Sequence, residues 1–95
     1  MTIQTDAQSA LNNRITAAQA QTVELAQRIL GRAPSSTTAV KFQDDLAIKF
    51  TVDGRDFSSY PAGERLYITS LIDGSLLEVE SLADLGRWLY LEANP

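Results

Sequence analysis

Large apolar residues alternate with polar or small ones over residues 46–52, the most regular pattern in the chain. Successive side chains of a β-strand point to opposite faces, so the four apolar positions form one buried row. These positions are Leu46, Ile48, Phe50 and Val52. Asp53-Gly54 follows directly, and this pair favours a type I′ hairpin turn because both of its positions need positive φ. The pattern predicts a strand of an antiparallel sheet that reverses direction at Asp53.

The first third of the chain has a helical period instead. Apolar or small residues recur there at spacings of four and three, which is typical of an amphipathic helix. The stripe consists of Leu11, Ile15, Ala18, Thr22, Leu25 and Ile29. Thr5 or Asp6 is the expected N-cap, and Gly31 is the expected stop because glycine readily adopts the left-handed conformation that ends a helix. We therefore predict a frayed segment at residues 1–5 and a helix over residues 6–31.

This first helix is too long for the strand on which it would lie. Between residues 6 and 30 it spans roughly 37 Å, whereas the strand over residues 46–52 spans about 23 Å. The N-terminal half of the helix carries a thin apolar stripe among many amide side chains. We expect this half to project from the sheet or to pair with a second copy. The residues of such a dimer contact are Leu11, Ile15 and Ala18. The alternative is a helix that kinks or frays near Asn12-Asn13.

Shorter apolar segments complete an antiparallel sheet over residues 39–80. Residues 39–43 precede the strand already described, and residues 65–71 and 75–80 follow it with apolar side chains at alternate positions. Residues 55–60 contain fewer apolar side chains and predict a weakly paired strand at an edge of the sheet. Together these segments predict four or five antiparallel strands joined by short turns.

A second helical pattern occupies residues 82–92. Ser81 and Asp84 have the spacing of a capping box at its start, with Asp in place of the usual Glu or Gln. Three large side chains follow near its end, namely Trp88, Tyr90 and Leu91. They cover well over half of the helix circumference and cannot all face one sheet, so at least one is exposed. Trp and Tyr are enriched at binding hot spots. The alternative for Trp88 alone is packing under the first helix.

Gly86 lies inside this second helix, where a glycine costs about 1 kcal/mol relative to alanine. Close approach of the helix to the sheet or to Tyr67 is one explanation for a residue without a side chain. Close approach of a partner is the other.

The elements predict one α+β domain over residues 1–95. Its order is a long N-terminal helix, a four- to five-stranded antiparallel meander and a short C-terminal helix. Both helices are expected on one face of the sheet, because only one face of the predicted strands is strongly apolar. A chain of 95 residues is long enough to bury one core but not two.

Several classes of active site are excluded by composition. The chain has no Cys and no His, so it lacks Ser-His and Cys-His nucleophile systems and the usual ligands of zinc. Its five glycines are scattered and form no phosphate-binding loop. Paired carboxylates such as Glu78 and Glu80 need a cleft that raises the pKa of one of them before they can act as acid and base. We therefore predict a protein that is not an enzyme and has no cofactor or metal.

The charge is unevenly distributed. Residues 1–43 carry a net charge of +2 and residues 44–95 a net charge of −6. An acidic surface of this kind suits a basic protein partner and repels phosphate, although acidity that only maintains solubility is the alternative. The predicted partner-binding acids are Asp44, Asp45, Asp53, Asp56, Glu78 and Glu80. The predicted apolar anchor consists of Trp88, Tyr90 and Leu91.

Other kinds of partner are not expected from the sequence. Arg14, Arg28 and Arg32 are too sparse to follow a nucleic-acid backbone. No apolar run reaches the roughly 18 residues of a membrane span, and no signal peptide is recognisable. The absence of cysteine fits a cytoplasmic protein. The sequence thus predicts a small acidic protein–protein interaction module, an inhibitor or adaptor. The alternative is a structural or assembly subunit that homodimerises through its first helix.

Overall fold

Tight turns fold the middle of the chain into one antiparallel sheet, which one helix precedes and another follows in the sequence. A computed structural model describes residues 3–42 and 44–95 of the chain. The elements are α1 (Ile3–Leu30), β1 (Thr37–Phe42), β2 (Asp45–Val52), β3 (Arg55–Tyr60), β4 (Arg65–Thr69), β5 (Leu76–Glu78) and α2 (Leu82–Ala93), with a turn of 3-10 helix at Pro61–Gly63. The predicted fold class is confirmed.

The five strands lie in the sheet in chain order, and each neighbouring pair is antiparallel. The predicted hairpin between β2 and β3 is confirmed, because Asp53 and Gly54 have φ values of 53° and 79°. The pairing register aligns Phe50, Phe57 and Ile68 across three strands. All three are buried, and the two phenylalanine rings stack with centroids 5.5 Å apart.

Strand β3 is not an edge strand, so that prediction is wrong. It pairs with β2 on one side and β4 on the other, at the centre of the sheet. Its Ser58 and Ser59 are buried, and the small Ser59 side chain lets α1 pack closely over the strand. The Ser59 hydroxyl lies 2.5 Å from the hydroxyl of Thr22 in α1. The polarity that suggested an edge therefore serves a buried contact with a helix.

Helix α1 is continuous from Ile3 to Leu30, so the helix is not interrupted at Asn12-Asn13, where the alternative placed a kink or fraying. It begins before residue 6, which places Thr5 and Asp6 within the helix and not at its cap. Its predicted end is confirmed, since Gly31 has a φ of 73° and its amide donates to the Gln27 carbonyl at 3.0 Å.

Only the C-terminal part of α1 lies against the sheet. Leu25, Ala26 and Leu30 belong to the core, and burial on this face begins at Ala18. Every residue from 8 to 14 is exposed. The molecule is accordingly elongated, with extents of 58 × 25 × 22 Å. The expected projection of α1 beyond the sheet is present.

Helix α2 covers the same face of the sheet as α1. Ser81 is the predicted N-cap, because its hydroxyl accepts from the Asp84 amide at 3.3 Å. The Asp84 carboxylate accepts from the amide of Glu80 at 3.0 Å, one residue before the cap, and not from the Ser81 amide of a capping box. Leu85 and Trp88 pack against the core. The Trp88 indole also donates to the Glu78 carbonyl at 2.9 Å, so its ring points inward.

The buried hydroxyl pair between α1 and β3 leads to a prediction about stability. Thr22→Val keeps the shape of the side chain but leaves the Ser59 hydroxyl without its partner, which should lower the free energy of unfolding by about 1–3 kcal/mol. Chemical denaturation measures this value. Adding Ser59→Ala should recover most of the loss because no buried hydroxyl then lacks a partner. Losses that simply add in the double variant would contradict this account.

Candidate functional site

One ion pair joins the end of α2 to the centre of the sheet. Arg55, the first residue of β3, donates to both carboxylate oxygens of Glu92 at 2.8 and 2.9 Å. It also donates to the Thr69 carbonyl at the end of β4, at 3.0 Å. The two side chains are only 20% and 9% exposed. This bidentate geometry fixes both distance and orientation.

The Glu92 carboxylate also holds the turn that connects β4 to β5. One of its oxygens accepts from the Leu71 amide at 3.0 Å. The Leu71 amide and then the Arg55 guanidinium lower the pKa of Glu92 below its ordinary value, because both stabilise the charged form. Three separate segments, β3, α2 and the β4–β5 turn, therefore meet at one carboxylate.

The β4–β5 turn is extensively hydrogen-bonded. The Ser70 amide donates to the Ser75 carbonyl at 2.8 Å, and the Gly74 amide donates to the Ser70 carbonyl at 2.9 Å. The Ser70 hydroxyl accepts from the Ile72 amide at 3.2 Å. Asp73 accepts from the hydroxyl and the amide of Ser75, and these bonds lower the pKa of Asp73. The turn thus has a defined conformation.

This defined turn presents two large aliphatic side chains to solvent. Leu71 is 74% exposed and Ile72 is 61% exposed. On α2, Tyr90 and Leu91 immediately precede Glu92 and are also exposed. We call Leu71, Ile72, Tyr90 and Leu91 the apolar end. Single exposed apolar residues are ordinary on protein surfaces; Leu71 and Ile72 are two such residues in succession on one turn.

The structure separates the predicted partner-binding acids. Asp44 and Asp45 lie where β1 meets β2, whereas Asp53 and Asp56 lie around the β2–β3 turn at the opposite end of β2. Glu78 and Glu80 are at the end of β5, near α2. The six residues therefore do not form one acidic surface.

Several of these acids already have partners within the chain. Asp53 pairs with Arg32 at 2.8 Å, and Glu78 lies 3.7 Å from Arg65. Asp45 accepts from the Tyr60 hydroxyl at 2.5 Å, which lowers the pKa of Asp45 and raises the pKa of Tyr60. The two ion pairs offset part of the negative charge that the sequence suggests, whereas the Tyr60 hydrogen bond favours the ionised form of Asp45.

The predicted apolar anchor and the predicted dimer contact each contain both exposed and buried residues. Trp88 packs inward against the core, so within the predicted apolar anchor only Tyr90 and Leu91 are exposed. Of the predicted dimer residues, Leu11 is exposed, Ile15 is half-buried and Ala18 is buried by its own chain. A dimer contact through α1 would therefore rest on Leu11 and Ile15.

The opposite face of the sheet contains a feature that the sequence reasoning missed. An open depression of about 710 Å³ has Ala47 and Ser58 among its lining residues, with Tyr60, Tyr67 and Lys49 beside them. Ala47 and Ser58 are buried although they point away from the helices. The available signal was that the outward positions of the central strands include Ala47, Ser58 and Tyr67 next to the charged Lys49.

Two kinds of site are absent from the part of the chain that the structure describes. Within residues 3–42 and 44–95, no group of three or more acidic, His or Cys side chains is placed to hold a metal ion. Among the described helices, none is long and apolar enough to cross a membrane.

Comparison of the chain with protein-family models, with curated proteins and with solved structures gives no match. Its function is therefore inferred from the geometry above.

The Arg55–Glu92 pair predicts a pH dependence. Glu92→Gln should lower the free energy of unfolding at neutral pH by about 2 kcal/mol, between the limits for exposed and fully buried pairs. The pKa of Glu92 is lowered by folding, so its contribution is complete above the unfolded-state pKa and is lost as the pH falls through the folded-state pKa. Stability curves of the wild type and the variant should converge in acid.

The matched control is Asp53→Asn, which removes an ion pair whose side chains are both 65% exposed. Asn tolerates the positive φ of this position, so the change should cost less than about 1 kcal/mol. Denaturation across a pH series measures both variants. Parallel stability curves for the wild type and Glu92→Gln would contradict the assigned role of Glu92.

Proposed function

We propose that this protein is a protein–protein interaction module, an inhibitor or adaptor, that contacts its partner through the apolar end. The observation that supports this function is a well-ordered turn with two exposed aliphatic side chains, Leu71 and Ile72. Burial of these side chains would remove apolar surface from water, which is the main driving force of protein association.

The order of the β4–β5 turn favours binding because less conformational entropy is lost on association. The Leu71 amide is held by Glu92, and the Ile72 amide is held by the Ser70 hydroxyl. The backbone at both residues is therefore held in place, so their side chains could serve as the anchors that become buried in an interface. Tyr90 on α2 is a further exposed aromatic side chain.

Charge near the apolar end favours a basic partner. Residues 71–95 carry a net charge of −4. Of these acids, Asp73 lies on the turn itself. A partner with Lys or Arg around an apolar pocket would be complementary to this surface, and the opposite charges would accelerate their encounter.

The second candidate function is a structural or assembly subunit that homodimerises through α1. The projection of an unbroken α1 beyond the sheet supports it, and Leu11 is an exposed large apolar residue on that projection. Its weakness is the burial of Ala18 within the chain, which leaves a short contact surface.

The proposed function predicts a specific loss of binding. A partner captured from native lysate and identified by mass spectrometry should bind the purified wild type with an association rate that falls as salt rises. Leu71→Ser with Ile72→Ser should weaken this binding at least about tenfold, since both apolar anchors are lost. Calorimetry or surface plasmon resonance measures the affinity.

The matched control for that experiment is Leu76→Ser. Leu76 is also an exposed leucine, but it lines the depression on the opposite face of the sheet. This variant should bind the partner with wild-type affinity. Equal binding by the turn variant and the wild type would remove the apolar end from the interface, and a salt-independent association rate would remove the role of charge.

A further inference from the structure

Helix α2 is held to the rest of the molecule by little apolar burial. Leu85 and Trp88 are its side chains that pack against the core, and both are only partly buried. In α1, by contrast, Thr22 and Ala26 are completely buried and Leu25 nearly so. Stabilisation by burial scales with the apolar area removed from water, so α2 should separate from the sheet at a lower free energy than α1 does.

Gly86, in the middle of α2, lowers the stability of the helix itself. A Cβ atom at this position would meet no atom of the described residues within 4 Å. The predicted close approach of α2 to the sheet or to Tyr67 is therefore wrong. Glycine inside a helix costs about 1 kcal/mol relative to alanine, and an isolated helix of 12 residues is marginal in water. Once released from the sheet, α2 should therefore lose its helical structure.

The polar contact at the far end of α2 is not fully satisfied. Arg55 donates to Glu92 through two of its nitrogens, but its Nε is buried and has no hydrogen-bond partner among residues 3–42 and 44–95. A buried donor without a partner is costly, because water would otherwise satisfy it. Separation of Glu92 from Arg55 lets water reach this group, so the closed arrangement is less favourable than the ion-pair distances alone suggest.

The chain that leads into α2 combines a fixed residue with an exposed link. Val79 is only 1% exposed, and its amide donates to the Leu66 carbonyl at 2.8 Å, so it stays with the sheet. Glu80 and Ser81 are exposed, and their hydrogen bonds run to Asp84 within α2. The link between Val79 and Glu80 can therefore act as a hinge without breaking these bonds.

Movement of α2 about this hinge changes the apolar end. Tyr90 and Leu91 belong to α2 itself, and the Glu92 carboxylate accepts from the Leu71 amide in the β4–β5 turn at 3.0 Å. A displaced α2 therefore takes Tyr90 and Leu91 away from the apolar end and frees the turn from Glu92. The buried core is formed by α1, β2, β3, β4 and Val79, so it can stay folded when α2 is displaced.

We propose that α2 is a lid that opens about the Val79–Glu80 link and loses its helical structure while α1 and the sheet stay folded. The closed state presents the complete apolar end, and the open state does not. A partner of the apolar end therefore binds the closed state, which makes the lid a switch for binding. This consequence rests on the proposed function, whereas the opening itself does not. A partner that binds only the closed state must suppress opening.

Native-state hydrogen exchange of the wild type, at denaturant concentrations below the unfolding transition, measures this opening. The amides of residues 88–91 in α2 should share one opening constant, at least about tenfold larger than that of the Leu25 amide in α1. The constant should increase with denaturant, because opening exposes apolar surface of Leu85 and Trp88. A constant equal to that of Leu25 would mean that α2 unfolds only with the whole molecule, and exchange independent of denaturant would mean fraying of single residues. Either result would overturn the proposal.

Two variants should move the opening constant in opposite directions. Gly86→Ala adds a methyl group for which there is room and raises the helix propensity, so the opening constant of α2 should fall about fivefold. Glu92→Gln should raise the constant at least about tenfold, because Arg55 then loses its charged partner.

Asn13→Ala is the matched control, because Asn13 is an exposed residue of α1, the helix that does not open with the lid. This variant should leave the opening constant of α2 unchanged. No fall with Gly86→Ala, or an equal fall with Asn13→Ala, would contradict the proposed opening. These measurements need no partner, so failure of the apolar end to bind a protein would remove the proposed function and leave the lid.

Discussion

The ion pair between Arg55 and Glu92 decides where α2 and the β4–β5 turn lie. No residue of α2, which the structure describes along its whole length, is fully buried. Apart from its cap, the helix is held by the half-buried Leu85 and Trp88 and by the Glu92 carboxylate. A buried ion pair adds little net stability compared with apolar packing, but the loss of one partner is costly. Here the ion pair mainly fixes the positions of α2 and the β4–β5 turn, because the same carboxylate also accepts from the Leu71 amide.

The two helices consequently have different roles. Helix α1 contributes Leu25, Ala26 and Leu30 to the core and is held by direct burial. Helix α2 lies at the margin of that core and presents more of its surface than it hides. Its far end holds the β4–β5 turn through the Glu92 carboxylate. The turn proposed for binding therefore depends on the more weakly packed of the two helices.

Local patterns were sufficient to predict most of the fold. The alternation in β2, the Asp53-Gly54 turn and the Gly31 stop are each specified by neighbouring residues. The central position of β3 was not predictable in this way, because its serines appear solvent-exposed in the sequence and are buried only by α1 and the neighbouring strands. The candidate site depends on still longer connections: Arg55 and Glu92 are 37 residues apart, and their spacing follows no local period. Exposure of at least one of Trp88, Tyr90 and Leu91 was predicted, whereas Leu71 was assigned to a strand.

Native-state hydrogen exchange of Glu92→Ala tests the central role of this ion pair most directly. The Leu71 amide, which donates to Glu92 in the wild type, should exchange rapidly in the variant, together with the amides in the last turns of α2. The amides around Leu25 in α1 should keep their protection, because the core that holds them does not involve Glu92. Unchanged protection at Leu71 and along α2 would contradict the account, since the helix and the turn would then be held by something other than Glu92.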